Sequence, residues 1–379
     1  MKIVFTGGGT AGHIFPGLAV VKEIRKLNSL EIKLAWIGSK KESERTWVEE
    51  NNIDFYSIPT GKLRRYFSLQ NVLDFFNVFA GVIKSIFLLL KIKPNLLFSK
   101  GGFVAVPPCI AAKILRIPII IHESDFSPGL TTRITSKFAR KIFVSYEETI
   151  KMFSPKVQRY CVYTGNPVRE KFYTASAKTG KIFLGVQDNA KKILLVMGGS
   201  LGAKQINDLV YETIVDLCEN FFVVHQLGRE NFSQHLEIES RLAEKNPTLL
   251  SCYKAFDFIG SEMPDLLAAS DIIVSRAGAN SLWEIISQHK PSLLIPLSTG
   301  SSRGDQIENA NFFSSAGCVE TLIDDEASPE NFLTKLLTIL KDSEKLKSMV
   351  EACKKILPEP ASKKIAKLVI DFLMEVENA

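Results

Sequence analysis

Thr10, Ala11, Gly12 and His13 follow three glycines, Gly7 to Gly9, in the opening run MKIVFTGGGTAGHIFPGLAVVKEI. Glycines at a turn let backbone N–H groups approach a ligand, and the helix start behind them offers unpaired donors and about half a positive charge. A phosphate or a developing oxyanion suits such a place. A neutral imidazole there is the natural proton acceptor near pH 7, which makes His13 a candidate general base. Further on, His122, Glu123, Ser124 and Asp125 end the apolar run IPIII. His122 reads best as a residue holding its turn, whereas a catalytic and a capping role weigh equally for Glu123.

The second half repeats the pattern. In LLVMGGSLGAKQIN, Ser200 is placed to give its hydroxyl to a phosphate, although Gly198, Gly199 and Gly202 also suit tight helix-to-strand packing. RAGANSLWE, Arg276 to Glu284, starts another helix with donors at its first turn, and Glu284 lies where a carboxylate can accept both hydroxyls of a ribose. Asp305, Gln306 and Asn309, after the loop STGSSRG, suit sugar hydroxyls or capping. Together these groups fit transfer of a sugar from a nucleoside diphosphate. Helix N-termini at Ser200 and Ala279, with Arg169 nearby, would stabilise the departing diphosphate. The chain has no Asp-x-Asp triplet, so neither a metal nor another cofactor is expected. NAD is disfavoured, because Ser39, Lys40 and Lys41 stand where an acid would hold its ribose, although the lysines leave NADP open.

Such groups need rigid elements behind them. Lys2 to Thr6, Ile32 to Gly38, Asn95 to Ser99, Ile117 to Ile121, Lys141 to Val144 and a segment near Tyr160 read as strands, as do Phe256 to Gly260, Asp271 to Ser275 and Ser292 to Ile295. Strand, glycine turn and helix at the head of each half predict an α/β protein of two facing Rossmann-like domains with parallel sheets, residues 1–166 and 167–355. Ligands should gather at the strands' carboxyl ends, in a cleft between the domains. Periodicity fades from Val168 to Lys191, which reads as a linker. Residues 359–377 form an amphipathic helix without a chemical signal.

Composition narrows the partners. Of a net charge of +6, residues 1–165 carry 24 Lys and Arg against 12 Asp and Glu, so the first half is basic and the second acidic. Nucleic acid, an anionic membrane and a phosphorylated substrate all fit a basic half by charge alone. The six cysteines are scattered without a Cys-x-x-Cys pair, which argues against zinc and a disulfide framework. No signal peptide is expected, and no stretch of 18 uncharged apolar residues is found to span a bilayer. VLDFFNVFAGVIKSIFLLL, Val72 to Leu90, carries more apolar surface than one sheet can cover, with Phe75, Phe76, Phe79, Phe87 and Leu88 in surplus. Flanked by Lys62, Arg64, Arg65, Lys91 and Lys93, it fits an anionic bilayer as well as it fits a deeply buried helix.

GGGTAGHIFPGLA, GGFVAVPP, IHESDFSPGLT, TGNPVR, GGSLGAKQIN, FIG with Met263, RAGANSLWEI and GDQIENA resemble, in order, the motifs of the MurG family. These are the undecaprenyldiphospho-muramoylpentapeptide β-N-acetylglucosaminyltransferases of peptidoglycan synthesis. The resemblance implies a GT-B fold, with a C-terminal helix (356–379) returning to the first domain. It also implies inverting transfer of N-acetylglucosamine from UDP-N-acetylglucosamine to the 4-hydroxyl of lipid I, forming lipid II at the cytoplasmic face of the inner membrane. Carried over, Thr10, Ala11 and Gly12 contact the donor, Arg169 and Ser200 its diphosphate, and Ile259 the uracil. Ala279, Asn280, Ser281, Leu282, Trp283 and Glu284 serve the phosphate and ribose, and Gln306 the sugar. The family's membrane patch falls on Val72 to Leu90. Nucleic acid drops out as a partner, and other cell-wall synthesis proteins stay open. Asp125 replaces a usual asparagine and can only accept when ionised, which bears on its contact with the sugar. The rival readings are a UDP-N-acetylglucosamine epimerase of the same fold and a non-catalytic polyprenyl-phosphate binding module.

Overall fold

The computed structural model describes residues 1–27, 31–61, 69–186, 191–199, 202–298, 304–356 and 359–377. Ser200 lies outside them, as do Lys62, Arg64 and Arg65. The chain divides into two compact units, Met1–Arg169 with Glu359–Ala379, and Glu170–Pro358.

The first unit holds a seven-stranded parallel sheet of β1 (Lys2–Thr6), β2 (Lys33–Gly38), β3 (Asp54–Ser57), β4 (Leu96–Ser99), β5 (Ile119–Glu123), β6 (Lys141–Val144) and β7 (Cys161–Tyr163), in the order β3-β2-β1-β4-β5-β6-β7. β1 is buried on both faces, as strands of parallel sheets are. Alternation sends Ile3 and Phe5 to one side, with Ile14, Leu18 and Val21 of α1 (Ala11–Leu27) and Ile365, Val369 and Leu373 of the C-terminal helix Ala361–Glu377. Val4 goes to the other side, with Leu97, Ala111, Ala112 and Leu89.

The second unit holds a six-stranded parallel sheet of β8 (Lys192–Met197), β9 (Phe221–Gln226), β10 (Tyr253–Phe256), β11 (Ile272–Ser275), β12 (Ser292–Leu294) and β13 (Val319–Thr321), in the order β10-β9-β8-β11-β12-β13. In each sheet the order reverses beside the unit's first strand, between β1 and β4 and between β8 and β11. Thr6 pairs with Ser99 and Met197 with Ser275 at the carboxyl ends of those pairs, the edge where such folds bind ligands.

Two sequence readings change. The run Phe256 to Gly260 is not a strand: β10 ends at Phe256, and Phe258 and Ile259 form the loop beyond it. The expected linker is largely structured, with helices Glu170–Tyr173 and Ala177–Leu184 packed on the helix Met263–Ala269 of the second unit. Ser176 Oγ caps the second by accepting from Thr179 N–H at 3.2 Å, and Gly180 lies where any Cβ would strike the Asp265 backbone. Short helices with mixed composition form here because tertiary packing outweighs weak local propensity.

α3 (Leu69–Ile92) packs against α4 (Val106–Ile114) along Gly81, Ser85 and Leu89, all buried. The opposite face is bare: Phe75, Phe76, Phe79 and Phe87 are 65%, 62%, 59% and 67% exposed, and Ile83 and Leu90 continue their stripe. That exposure rules out the deeply buried helix. Leu88 does not belong with the phenylalanines, because it is half-buried against the core cluster beneath. By length and composition, Asp74–Ile92 is apolar enough to cross a membrane, although Asp74, Lys84 and Lys91 interrupt it with charge. Its packed face on α4 instead lays it along the surface of its own domain.

Candidate active site

In the first unit, two glycine turns meet at the β1/β4 switch point. Gly101 and Gly102, after β4, have φ of +88° and +77°, which only glycine adopts without strain. The His13 ring lies against them: a Cβ on Gly102 would stand 2.7 Å from His13 Cδ2, and one on Gly101 3.9 Å from Nδ1. Thr10 is exposed, its carbonyl accepting from His13 N–H at 3.1 Å, and Ala11 and Gly12 open the first turn of α1, half-exposed. Arg169 extends over the Phe15 ring of α1 with 4.9 Å from guanidinium carbon to centroid.

The opening glycines serve internal packing. A Cβ on Gly7 would press on the His13 carbonyl, one on Gly8 on the Glu44 carboxylate, and one on Gly9 on the Phe103 ring. Close approach of the chain to itself therefore explains this run, where the sequence suggested approach to a ligand.

Glu123 is 6% exposed, and three backbone N–H groups converge on it: Ser124 and Asp125 donate to Oε1 at 2.8 and 3.0 Å, and Gly129 to Oε2 at 2.9 Å. A carboxylate so occupied shapes the loop 124–129, which favours the capping role. Asp125 is half-buried at the head of that loop. His122 Nε2 donates to the Gly165 carbonyl at 3.0 Å, while Nδ1 is buried without a partner. Burial and the nearby Lys100 charge hold its imidazole well below the usual range, so it stays neutral and fastens β5 to the turn after β7.

Lys100 is a residue that the sequence analysis did not single out. It is 2% exposed and donates to Ser124 Oγ, which in turn donates to Asn166 Oδ1 at 2.9 Å, linking the loops after β4, β5 and β7. Burial lowers its pKa from 10.5 to about 8, against the opposing pull of Glu123 and Asp125. The signal available beforehand was a lysine directly after the largely apolar strand LLFS. Because the folded pKa lies below the unfolded one, the cost of holding the ammonium is present below pH 8 and relieved as pH rises toward 10.5. Lys100→Met should therefore stabilise the protein at pH 7, by at most about 3 kcal/mol. Urea midpoints should show the advantage closing by pH 10.5, and a variant less stable at pH 7 than at pH 10.5, relative to wild type, would contradict this assignment.

In the second unit, Gly198 and Gly202 lie where a Cβ would strike the backbone of Ala203 and Leu227, so packing accounts for both, while Gly199 (φ +85°) faces open space. The Ala279–Ser287 helix starts at the β11 edge after Gly278. Helical phase divides its residues: Asn280, Ser281 and Glu284 are half-exposed, whereas Leu282 and Trp283 are wholly buried, Trp283 edge-on to Phe313. The Leu282 and Trp283 side chains thus belong to the core, so only their backbone, in the helix's first turns, is left to serve a ligand. Ala279, 6% exposed, contributes backbone.

Gln226 was missed because it ends an ordinary strand. Its Nε2 donates to the Gly199 carbonyl at 2.9 Å and its Oε1 accepts from Ile259 N–H at 3.0 Å. Ile259 N–H is therefore engaged inside the protein. Arg276 Nη1 donates to Gln205 Oε1 and to the carbonyls of Ile295 and Pro296 at 2.8 to 2.9 Å, fixing the chain just beyond β12. Gln306 Oε1 accepts from Leu297 N–H at 3.1 Å, and Asn309 is buried with its amide on the Ala277 carbonyl. Among the described residues, no group of three or more His, Cys, Asp or Glu side chains is arranged to hold a metal ion.

Residues 3–144 match the glycosyltransferase family 28 N-terminal domain and residues 193–368 the glycosyltransferase family 28 C-terminal domain. The chain is 48% identical to the UDP-N-acetylglucosamine–N-acetylmuramyl-(pentapeptide) pyrophosphoryl-undecaprenol N-acetylglucosamine transferase of Treponema denticola, over 98% of this chain and 96% of that protein. It is 39% identical to transferase 2 of the same name from Bacillus anthracis, over 99% of both. Among solved structures it is similar to MurG of Acinetobacter baumannii, with a TM-score of 0.74 at 22% identity over 98% and 99% of the two chains. UDP-GlcNAc 2-epimerase of Neisseria meningitidis gives 0.67 at 18% identity over 99% and 100%. At those identities the two structures show a common GT-B type of fold, two parallel-sheet α/β domains.

Proposed function

The chain belongs to glycosyltransferase family 28, and from that premise we propose that it transfers N-acetylglucosamine, with inversion, from UDP-N-acetylglucosamine to the 4-hydroxyl of lipid I, forming lipid II. The acceptor is undecaprenyl-diphospho-N-acetylmuramoyl pentapeptide. The observation that carries this reading is the Treponema denticola relative, 48% identical along nearly the whole chain, whose name specifies N-acetylglucosamine transfer from UDP-N-acetylglucosamine to N-acetylmuramyl-(pentapeptide) pyrophosphoryl-undecaprenol. The match of both halves to one transferase family favours it over epimerisation.

In this reading His13 takes the proton from the attacking hydroxyl as the bond to the sugar's anomeric carbon forms and the bond to UDP breaks. Thr10, Ala11 and Gly12 line the donor sugar with Gln306, and Glu123 and Lys100 hold the neighbouring loops. The first turn of the Ala279–Ser287 helix, with Arg169 and Ser200, takes the charge that builds on the departing diphosphate. The Ile259 carbonyl accepts from the uracil, and Glu284 from the ribose hydroxyls. The bare phenylalanines of α3 support a peripheral seat on an anionic bilayer, at the cytoplasmic face of the inner membrane where the acceptor of this reading is anchored.

One assay tests the reaction: purified protein, UDP-N-acetylglucosamine and a lipid I analogue with a chelator present, reading the product's anomeric configuration. A β-linked disaccharide is expected. Free epimerised nucleotide sugar without any acceptor, or acceptor binding without turnover, would overturn the reading. For the ribose contact, Glu284→Ala should weaken competition by UDP about tenfold and that by 2′-deoxy-UDP far less, since hydrogen bonds to a charged group contribute about 1.5 to 3 kcal/mol. Equal losses would remove Glu284 from the site.

A further inference from the structure

Glu44 stands on α2 (Glu42–Glu49), outside the strand, turn and helix units that build the site, and is 1% exposed. A carboxylate that dry must find donors. Its Oε1 accepts from Gly9 N–H at 2.6 Å and its Oε2 from Ser39 N–H at 2.9 Å. Gly8 has no room for a side chain because of it, since a Cβ there would stand 2.5 Å from Oε2. The same turn is fastened by Lys41 Nζ, which donates to the Gly9 carbonyl at 2.6 Å, and by Trp36 Nε1, which donates to the Gly7 carbonyl at 3.0 Å.

Glycine turns after a first strand hold phosphate by aiming N–H groups at it. Here the acceptor of the Gly9 N–H is already part of the protein. We infer that Glu44 is an internal anion seated in the Gly7–Gly9 turn, a specificity-determining residue that turns phosphate away from it and reserves the adjoining surface for uncharged sugar and hydroxyl groups. A phosphate at Gly9 would both lack the N–H and face the carboxylate at close range, where water screens little. Under the transferase reading, on which the identity of the substrates rests, the donor diphosphate then falls to the second domain's helix N-terminus.

Inorganic sulfate is the probe, titrated into the full chain while the Gly9 backbone amide is followed by NMR. Wild type should show no saturable shift at Gly9. Glu44→Gln, which keeps the side-chain volume, and Glu44→Ala should gain saturable binding there at least about tenfold tighter than wild type. Glu44→Asp keeps the charge and should not gain it. Thermal melting of each variant separates a gained site from a loosened fold, since general loosening would not create saturable binding at one amide. A saturable Gly9 response in wild type overturns the inference whatever the variants do, and so does its absence in a Gln or Ala variant that melts as wild type does. The transferase assay reports separately: failure of wild type to form a disaccharide defeats the functional reading and leaves the sulfate result standing.

Discussion

His13→Ala should lower kcat by about 10² to 10⁴, the usual contribution of a positioned general base, while the affinity for UDP stays near wild type. The imidazole occupies the β1/β4 switch point against Gly101 and Gly102, at the sheet edge where ligands of this architecture bind. It is half-exposed, so its loss should leave the melting temperature almost unchanged. Single-turnover rates with the lipid I analogue, measured beside UDP competition, are the check. An unchanged single-turnover rate would move the base elsewhere, and Glu123 is a poor refuge, because three backbone N–H groups already converge on its oxygens.

Replacing Phe75, Phe79 and Phe87 together by serine should cut binding to phosphatidylglycerol vesicles by on the order of 10²-fold or more. Full burial of one such ring contributes about 1.5 to 3 kcal/mol, and part of each enters the headgroup boundary. Because the three rings are already 59% to 67% exposed, unfolding by heat should hardly change. Vesicle sedimentation with a melting curve on the same samples decides the matter. Undiminished vesicle binding would exclude the α3 face as the contact. A collapse of thermal stability would mean that the rings pack against protein after all. Raised salt should weaken the remaining binding, since exposed Lys84 and Lys91 lie on the same helix.

The units of strand, glycine turn and helix were legible because period-two and period-3.6 patterns with glycine between them are local facts. β1, β4, β8 and β11 and the helices after them fall within a few residues of where the pattern puts them. Where the pattern is weak, propensity lost to packing: the supposed linker forms two helices on the Met263–Ala269 helix, and Phe258 and Ile259 leave the sheet. Leu88 was misplaced for a different reason. It lies within one helical turn of exposed neighbours, and only the angle of the docked helix tells which side chain turns inward.

By itself, then, the sequence determined an α/β chain of two parallel-sheet domains and the family whose ordered motifs it carries. These follow from residue types and short-range spacing, which are complete in the chain. The tertiary structure alone decided what each polar group is already bonded to. Glu44 lies 35 residues beyond Gly9, and Ser124 24 beyond Lys100, yet each pair shares a buried hydrogen bond. Burial far from one's own segment turns an ordinary surface glutamate or lysine into a buried charge, and no local pattern records that distance.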